Sequence, residues 1–309
     1  GADGFRLDAV KEFAGGSPAT NAETLAWFNG FVLGVRPDAI LVGEAWEPNP
    51  VTLAPYYNSG VASFFNFPLA QATGGMAAAI RSGSGETLAA LFTRPAAVYG
   101  AVKADFIDAP FLSNHDTSRI SAQYVNDARK MKLAAGLLLM MDGSPFVYYG
   151  EELGMNSRGG KDENKRLPMR WSDTDTAGTP NPPAGADAVE QRFPALDAQA
   201  RDPLSIYGYY KRALRLRNEN PELARGAARA VSGLTAGSVC AVTKEWRGQA
   251  VLVLCNIGAT PAQVSLADTA FASFALYGSL SVDEAAAALE KGRLTLPSYA
   301  IALLRSPAN

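Results

Sequence analysis

The period of the apolar positions divides the chain into two regions. From residue 1 to about residue 220, short apolar runs alternate with segments whose apolar residues recur at helical spacing. This alternation is typical of an α/β fold with a parallel sheet. The predicted strands are residues 5–10, 39–45, 63–68, 108–114 and 145–149. The predicted helices are residues 21–36, 86–98, 128–141 and 204–218.

After Pro221 the apolar residues recur at every second position, as in antiparallel strands with one buried face. The strands predicted there are residues 239–243, 250–254, 262–266, 293–296 and 300–305. Several short strands in succession favour a small β-sandwich. We therefore predict an α/β domain over residues 1–222 and an all-β domain over residues 223–309.

The only two cysteines lie in a predicted hairpin with its turn at Arg247-Gly248. A two-residue turn there pairs Cys240 with Cys255 across the ladder. Cross-strand bridges are often strained, so the sequence leaves open whether these residues form a disulfide or two buried thiols. Cysteine usage therefore does not indicate a compartment.

Composition excludes several classes of partner. The formal net charge is -2, and no basic run is present, which argues against nucleic acid and anionic membranes as partners. No apolar run reaches the length of a membrane span. The chain begins directly before a predicted core strand and without Met, so we expect it to start partway through a longer protein.

Three carboxylates lie at the C-terminal ends of three different predicted strands. Asp8, Glu44 and Asp116 each lie where a strand ends, and in a parallel α/β barrel such ends meet on the face that carries catalytic groups. Arg6 is two residues from Asp8 and so shares its side of the strand, where a positive charge keeps the carboxylate ionised. The alternative for this first pair is a structural ion pair. Clustered carboxylates, however, repel one another, so a cluster of three favours a functional site.

Glycoside hydrolysis requires such a cluster, because it needs one ionised carboxylate and one protonated acid on either side of the anomeric carbon. Asp8 beside Arg6 suits the nucleophile. Glu44, on an apolar strand, suits the acid that later acts as a base. Asp116 suits a group that stabilises the positive charge of the transition state or holds sugar hydroxyls.

Four segments resemble, in order, signature motifs of the α-amylase family, glycoside hydrolase family 13. They are Gly4-Phe5-Arg6-Leu7-Asp8-Ala9-Val10-Lys11, Val42-Gly43-Glu44-Ala45, Phe111-Leu112-Ser113-Asn114-His115-Asp116, and residues 143–155 (GSPFVYYGEELGM). The resemblance covers nearly the whole chain, including the β region. It implies that the fold is part of a TIM (β/α)8 barrel, strands four to eight, followed by the β-sandwich. The preceding barrel strands and inserted domain would belong to a missing N-terminal part of the same protein.

The resemblance also implies roles for individual residues. Asp8 would be the nucleophile, Glu44 the acid/base and Asp116 the transition-state stabiliser. The remaining implied roles are orientation of Asp8 by Arg6, leaving-group-side sugar contact by Lys11, sugar hydroxyl binding by His115, and binding of non-reducing-end sugars by the pair Asp162 and Arg166. For that last pair, a solvated charged loop is the alternative.

Calcium is the one cofactor that the resemblance suggests, in a structural role only, since the chemistry itself needs no cofactor. Family members often place a metal-binding His directly after the motif lysine, and here that residue is Glu12. Glu12 is therefore a candidate metal ligand, with a solvated charge as the alternative.

The implied activity is that of a retaining α-amylase acting on α-1,4-glucosidic bonds of starch, glycogen or malto-oligosaccharides. One alternative keeps the fold and changes the specificity to α-glucosidase, oligo-1,6-glucosidase or glucanotransferase. A second is a catalytically inactive carbohydrate-binding or partner subunit, which the presence of all three carboxylates argues against. An extracellular or periplasmic location is expected if the protein is an amylase. We also expect the chain to be inactive by itself.

Overall fold

A four-stranded parallel sheet forms the first part of the molecule. The computed structural model describes residues 1–158 and 160–306. The sheet has the order β1-β2-β3-β4, and its strands are β1 (Gly4–Leu7), β2 (Ile40–Gly43), β3 (Ser63–Phe65) and β4 (Ile107–Ala109). All three pairings are parallel. The predicted parallel α/β sheet is therefore confirmed, with shorter strands than predicted.

The fifth predicted strand, residues 145–149, is wrong. Only one parallel bridge forms there, between Phe146 and Phe111. The Phe146 amide donates to the Pro110 carbonyl at 2.8 Å, but Pro145 has no N–H to extend the ladder. The chain then turns, because the Glu151 amide donates to the Tyr148 carbonyl at 2.9 Å. Pro110 likewise limits β4 to three residues.

Ten helices connect and cover the strands within the described residues. They are α1 (Pro18–Val35), α2 (Pro50–Leu53), α3 (Gly75–Ser82), α4 (Gly85–Val98), α5 (Ile120–Gln123), α6 (Ala128–Leu139), α7 (Asp162–Lys165), α8 (Leu196–Gln199), α9 (Ile206–Asn218) and α10 (Pro221–Arg225). Short 3-10 turns occupy Val10–Glu12, Ala54–Ser59 and Glu151–Leu153. Among the helices of residues 1–158 and 160–306, none has the length and apolar character needed to cross a bilayer.

Helix α1 begins three residues before its predicted start. Ser17 caps it by accepting from the Thr20 amide at 3.3 Å, and Pro18 occupies the first turn. Asn21, at which the helix was predicted to begin, is fully buried. Its amide donates to the Lys11 carbonyl at 2.6 Å and its oxygen accepts from the Ala14 amide at 2.9 Å. Asn21 thereby holds the loop that follows β1.

The C-terminal part contains two antiparallel sheets, as expected for a β region. One sheet has the order β5-β6-β7-β12-β9 and the other the order β10-β11-β8. The strands are β5 (Arg229–Ala230), β6 (Val239–Trp246), β7 (Gln249–Asn256), β8 (Ala262–Ser265), β9 (Ala275–Leu280), β10 (Ala288–Glu290), β11 (Arg293–Leu296) and β12 (Ala300–Arg305). Strands β5, β9 and β10 were not predicted from the sequence.

The β6–β7 hairpin has the predicted register. Cys240 pairs with Cys255, and the turn residues Arg247 and Gly248 have φ values of 52° and 76°. Two positive φ values match the twist of the flanking strands. Both thiols are free and fully buried. Burial raises the pKa of Cys240 to about 12 and that of Cys255 well above its ordinary value.

The two parts share one apolar core. Residues of α6 and α9 pack in the same cluster as the faces of β6, β7 and β12 that point away from the second sheet. Across this boundary, the buried ammonium of Lys244 pairs with Asp142. The β region therefore packs on helices α6 and α9 of the first part. The boundary at residues 222/223 itself remains a prediction.

One face of the parallel sheet is open to solvent. Strand register aligns Arg6 with Val42, Ser63 and Ile107, so these side chains share a face. Ile40, two residues before Val42, lies on the same face and is 59% exposed. The face that carries Arg6 is therefore partly apolar and uncovered in this chain.

Candidate active site

Backbone pairing places the first two carboxylates side by side. Asp8 directly follows β1, and Glu44 directly follows β2. The ladder continues beyond both strands, since the Glu44 amide donates to the Leu7 carbonyl at 2.8 Å and the Val10 amide donates to the Glu44 carbonyl at 3.0 Å. Ala9 adopts a left-handed backbone with φ 42°. The chain thus turns sharply at the residue after Asp8.

Arg6 contacts both of these carboxylates. One guanidinium nitrogen pairs with Asp8, and Nη2 lies 3.0 Å from Glu44 Oε2. The Ala9 amide also donates to Glu44 Oε2, at 3.0 Å. The Asp8 side chain is 77% exposed, whereas that of Glu44 is 8% exposed. The hydrogen bond and the positive charge of Arg6 hold the pKa of Asp8 below its ordinary value.

Replacing Arg6 should move the acidic limb of the pH–activity profile. In Arg6→Met, the carboxyl of Asp8 loses the cation that lowers its pKa, so a smaller fraction is ionised at low pH. We expect kcat/KM of the complete gene product to fall at a higher pH than in the wild type. The measurement is a profile of kcat/KM from pH 3 to 9, each normalised to its own maximum. An unshifted acidic limb would contradict the role of Arg6.

The third carboxylate, Asp116, is held by the neighbouring His115 and by Lys165 and Arg166 at the end of α7. His115 Nε2 lies 3.1 Å from Asp116 Oδ2, and Arg166 Nη2 lies 2.7 Å from Asp116 Oδ1. Lys165 donates to the Asp116 backbone carbonyl at 2.8 Å. Arg166 therefore pairs with Asp116, while Asp162 pairs with Lys165 at 2.7 Å. Asp162 and Arg166 lie in the same loop, but each has a different partner.

One cavity of about 210 Å³ is lined by residues that surround Asp8 and Glu44 and by residues next to Asp116. Arg6 and Glu44 come from one side of the cavity and His115 from the other. The other lining residues are mostly aromatic or polar: Phe65, Phe111, Ser113, Asn114, Phe146, Val147 and Tyr148. Five of the predicted site residues, Arg6, Asp8, Glu44, His115 and Asp116, therefore lie in or beside one cavity.

Lys11 points along the loop after β2 rather than into that cavity. Its ammonium donates to the Trp46 carbonyl at 3.2 Å and lies 3.1 Å from Glu47 Oε1. Trp46 stacks on Phe67 with ring centroids 4.8 Å apart. Trp46 nevertheless remains 38% exposed, so one part of the indole is available to a sugar ring.

Glu12 is the candidate calcium ligand. Its side chain is exposed on the 3-10 turn after Asp8. Within residues 1–158 and 160–306, no group of three or more His, Cys, Asp or Glu is arranged to hold a metal ion. Both the calcium ion and the role of Glu12 stay predictions.

Sequence reasoning missed a buried polar network beneath the cavity. Ser113 donates to Glu151 Oε2 at 2.6 Å, and Tyr210 donates to Glu151 Oε1 at 2.8 Å. Complete burial raises the pKa of Glu151 to about 7. Two adjacent carboxylates at 151 and 152 in an apolar segment were the signal that could have indicated it. Glu151 holds Ser113 in place on the wall of the cavity.

Comparison with known proteins identifies the family. Residues 1–226 match the family model described as "Alpha amylase, catalytic domain". The chain is 33% identical over 265 residues to "Alpha-amylase 3" of Dictyoglomus thermophilum, which covers 83% of this chain and 50% of that protein. It is 32% identical to "Alpha-amylase SusG" of Bacteroides thetaiotaomicron, over 87% of this chain and 40% of that protein. The chain therefore spans half or less of the length of these two relatives.

Solved structures of the same family superpose closely. "Amy13B" of Eubacterium rectale gives a TM-score of 0.95 at 32% identity, over 100% of this chain and 60% of that one. An α-amylase from H. orenii gives 0.83 at 29% identity, over 99% of this chain and 61% of that one. The fold is thus of the TIM-barrel type with a following β-sheet region. The chain belongs to the α-amylase family, glycoside hydrolase family 13.

Proposed function

We propose that the protein is a retaining glycosidase of the α-amylase type that cleaves α-1,4-glucosidic bonds in starch, glycogen or malto-oligosaccharides. The observation that carries this proposal is the contact of one guanidinium, Arg6, with both Asp8 and Glu44. It keeps the two carboxylates within reach of the same anomeric carbon. Their unequal exposure supports different roles for them.

In the proposed mechanism, Asp8 attacks the anomeric carbon while the bond to the leaving-group oxygen breaks and Glu44 gives its proton to that oxygen. Glu44, now ionised, takes a proton from water, and that water displaces Asp8 from the sugar. Asp116 would stabilise the positive charge that develops on the ring. His115 and Arg166 keep the Asp116 carboxylate in place.

We assign the remaining residues by the same resemblance. Lys11, beside the partly exposed Trp46, would contact sugar on the leaving-group side, and the pair Asp162 and Arg166 would bind sugars at the non-reducing end. The sheet would form strands four to seven of the barrel, and the segment around Phe146 the eighth. The complete barrel would then require further strands from the same protein. For an amylase acting on polymeric glucan, we propose an extracellular or periplasmic location.

The names of the relatives support this specificity over its alternatives. The two α-amylases cover 83% and 87% of this chain, whereas a relative named "Oligo-1,6-glucosidase", from Parageobacillus thermoglucosidasius, covers 38% of it at 28% identity. A relative named "Cyclomaltodextrinase", from Thermoanaerobacter pseudethanolicus, covers 82% of this chain, but at 24% identity. A glucosidase or glucanotransferase therefore remains the second candidate.

The test is product analysis with the complete gene product. We expect maltoheptaose to be cleaved and isomaltose and p-nitrophenyl α-glucoside to react at least about tenfold more slowly. Proton NMR taken before mutarotation should show newly formed α-anomers, since retention requires two inversions. Faster cleavage of isomaltose would favour the oligo-1,6-glucosidase alternative. Newly formed β-anomers would exclude retention, and binding of maltoheptaose without cleavage would indicate an inactive carbohydrate-binding subunit.

A further inference from the structure

We propose that Arg119 is a positioning residue that sets the geometry of Asp116 through Lys165 and Arg166. This inference deepens the proposed function and rests on Asp116 belonging to the site. Arg119 lies three residues after Asp116, has a fully buried side chain and does not line the cavity. It therefore acts on the site through other residues.

Arg119 joins three segments of the chain. Its Nε donates to the Lys165 carbonyl at 3.1 Å, and its Nη1 donates to the Tyr149 carbonyl at 2.5 Å. Its guanidinium carbon lies 4.5 Å and 4.7 Å from the ring centroids of Tyr148 and Tyr149. Its own amide donates to Ser157 Oγ at 3.0 Å. The Arg119 side chain thus connects the segment after Asp116 to two other segments, one at Tyr149 and one at Lys165.

The link to Asp116 passes through the Lys165 peptide. The Lys165 carbonyl accepts from Arg119 and, at 3.1 Å, from the Tyr148 hydroxyl. From this fixed point, the Lys165 ammonium reaches the Asp116 carbonyl and the next residue, Arg166, reaches the Asp116 carboxylate. Arg166 Nε also donates to the His115 carbonyl at 3.1 Å. A shift of the Lys165 carbonyl would therefore move both cations that hold Asp116.

Stability alone does not explain a cation at this place. Burial lowers the pKa of Arg119, which reflects the cost of removing the guanidinium from water. Within the described residues, its Nη2 is buried without a hydrogen-bond partner, and no carboxylate lies within 4.0 Å. A buried charge that lacks a direct counter-charge is weak evidence for stabilisation. The planar guanidinium donates to the carbonyls of two different segments, at Tyr149 and Lys165, which fits a positioning role better.

The test compares two buried arginines in the complete gene product. Arg217 is the control, because it too is buried and donates only to backbone carbonyls, those of Leu139, Met141 and Gly143, in the described structure. Arg119→Lys should lower kcat about 100-fold, the size expected for a misplaced catalytic group. Arg217→Lys should change kcat by less than about twofold at a temperature where both variants are folded. Equal effects of the two substitutions on kcat would overturn the proposal.

A double-mutant cycle separates positioning from general destabilisation. If Arg119 acts through Arg166, the loss of kcat in Arg119→Lys/Arg166→Lys should be well below the product of the two single losses. A loss equal to that product would overturn the proposal. These rates are measured on whichever glucoside the wild type cleaves, so an error in the assigned substrate does not affect them.

An NMR readout needs no activity and keeps the inference distinct from the proposed function. The ring resonances of His115, assigned with a His115→Gln variant, report on the contact with Asp116. They should shift in Arg119→Lys and stay unchanged in Arg217→Lys. If Arg119→Lys does not fold, Ser157→Ala provides a second variant. It removes the hydrogen bond from the Arg119 amide to Ser157 Oγ and should shift the His115 resonances in the same way. Unshifted His115 resonances in the folded variant would overturn the proposal.

Discussion

Asp8→Asn should abolish glucan cleavage by the complete gene product, with kcat lowered by on the order of 10⁵-fold, as for other catalytic nucleophiles. The amide has almost the shape of the carboxylate, so the Arg6 contact can persist in part while the nucleophilic oxygen is lost. Asp8 is exposed on a loop that turns directly after β1, and its replacement should leave the fold intact. The measurement is initial-rate release of reducing ends from maltoheptaose.

Asp3→Asn is the matched control for this substitution. Asp3 lies in the same segment, is 88% exposed and pairs with Arg36 at 2.5 Å. A surface pair of this kind contributes little to stability, so activity should stay within about twofold of the wild type. Residual activity above about 1% in Asp8→Asn, with wild-type thermal unfolding, would remove Asp8 from the role of nucleophile.

Glu44→Gln should lower kcat on maltoheptaose by about 10²- to 10⁴-fold, the range for loss of a general acid/base. The effect should be smaller on α-glucosyl fluoride, because fluoride leaves without protonation. Sodium azide should restore turnover of the fluoride, since an anionic nucleophile needs no base to release the sugar from Asp8. The product should be the α-glucosyl azide, formed with retention.

The stereochemistry of the azide product distinguishes the two carboxylates. In an Asp8→Gly variant, azide would attack the α-substrate directly and give the β-glucosyl azide. Glu23→Gln serves as the control for Glu44→Gln, since Glu23 is exposed on α1 and distant in sequence from the site motifs. If Glu44→Gln yields the β-azide, the assignments of Asp8 and Glu44 must be exchanged.

Local sequence patterns predicted the parallel strands correctly, but they failed at some strand and helix boundaries. The apolar runs around β1 to β4 were recognised because buried parallel strands are continuous in apolar residues. The segment at 145–149 has the same composition, but Pro145 removes a ladder donor and the turn at Gly150 ends the extension. Ser17 and Pro18 lie outside the predicted helix of residues 21–36, although Ser17 caps α1 and Pro18 begins it. Strand β10 lies in an alanine-rich run whose composition favours a helix.

The site was predictable where its residues are neighbours in sequence. Arg6 and Asp8 share a strand face, and their contact follows from a spacing of two. The pairing of Arg166 with Asp116 joins residues 50 positions apart, and only the folded loop decides whether Arg166 turns toward Asp162 or toward Asp116. Arg119 was missed for the same reason, because the residues it contacts, Tyr148, Tyr149, Ser157 and Lys165, are about 30 or more positions away in the sequence.

The hairpin thiols make this chain suitable for site-specific labelling. Cys240 and Cys255 are its only cysteines, both have no exposed surface, and burial raises the pKa of each, so little thiolate is available to a maleimide. A cysteine introduced at an exposed position, such as Glu23 on α1, should therefore react selectively without removal of the native pair. A second introduced cysteine at an exposed position of α7 would allow fluorescence distance measurements between helices α1 and α7 while substrate is present.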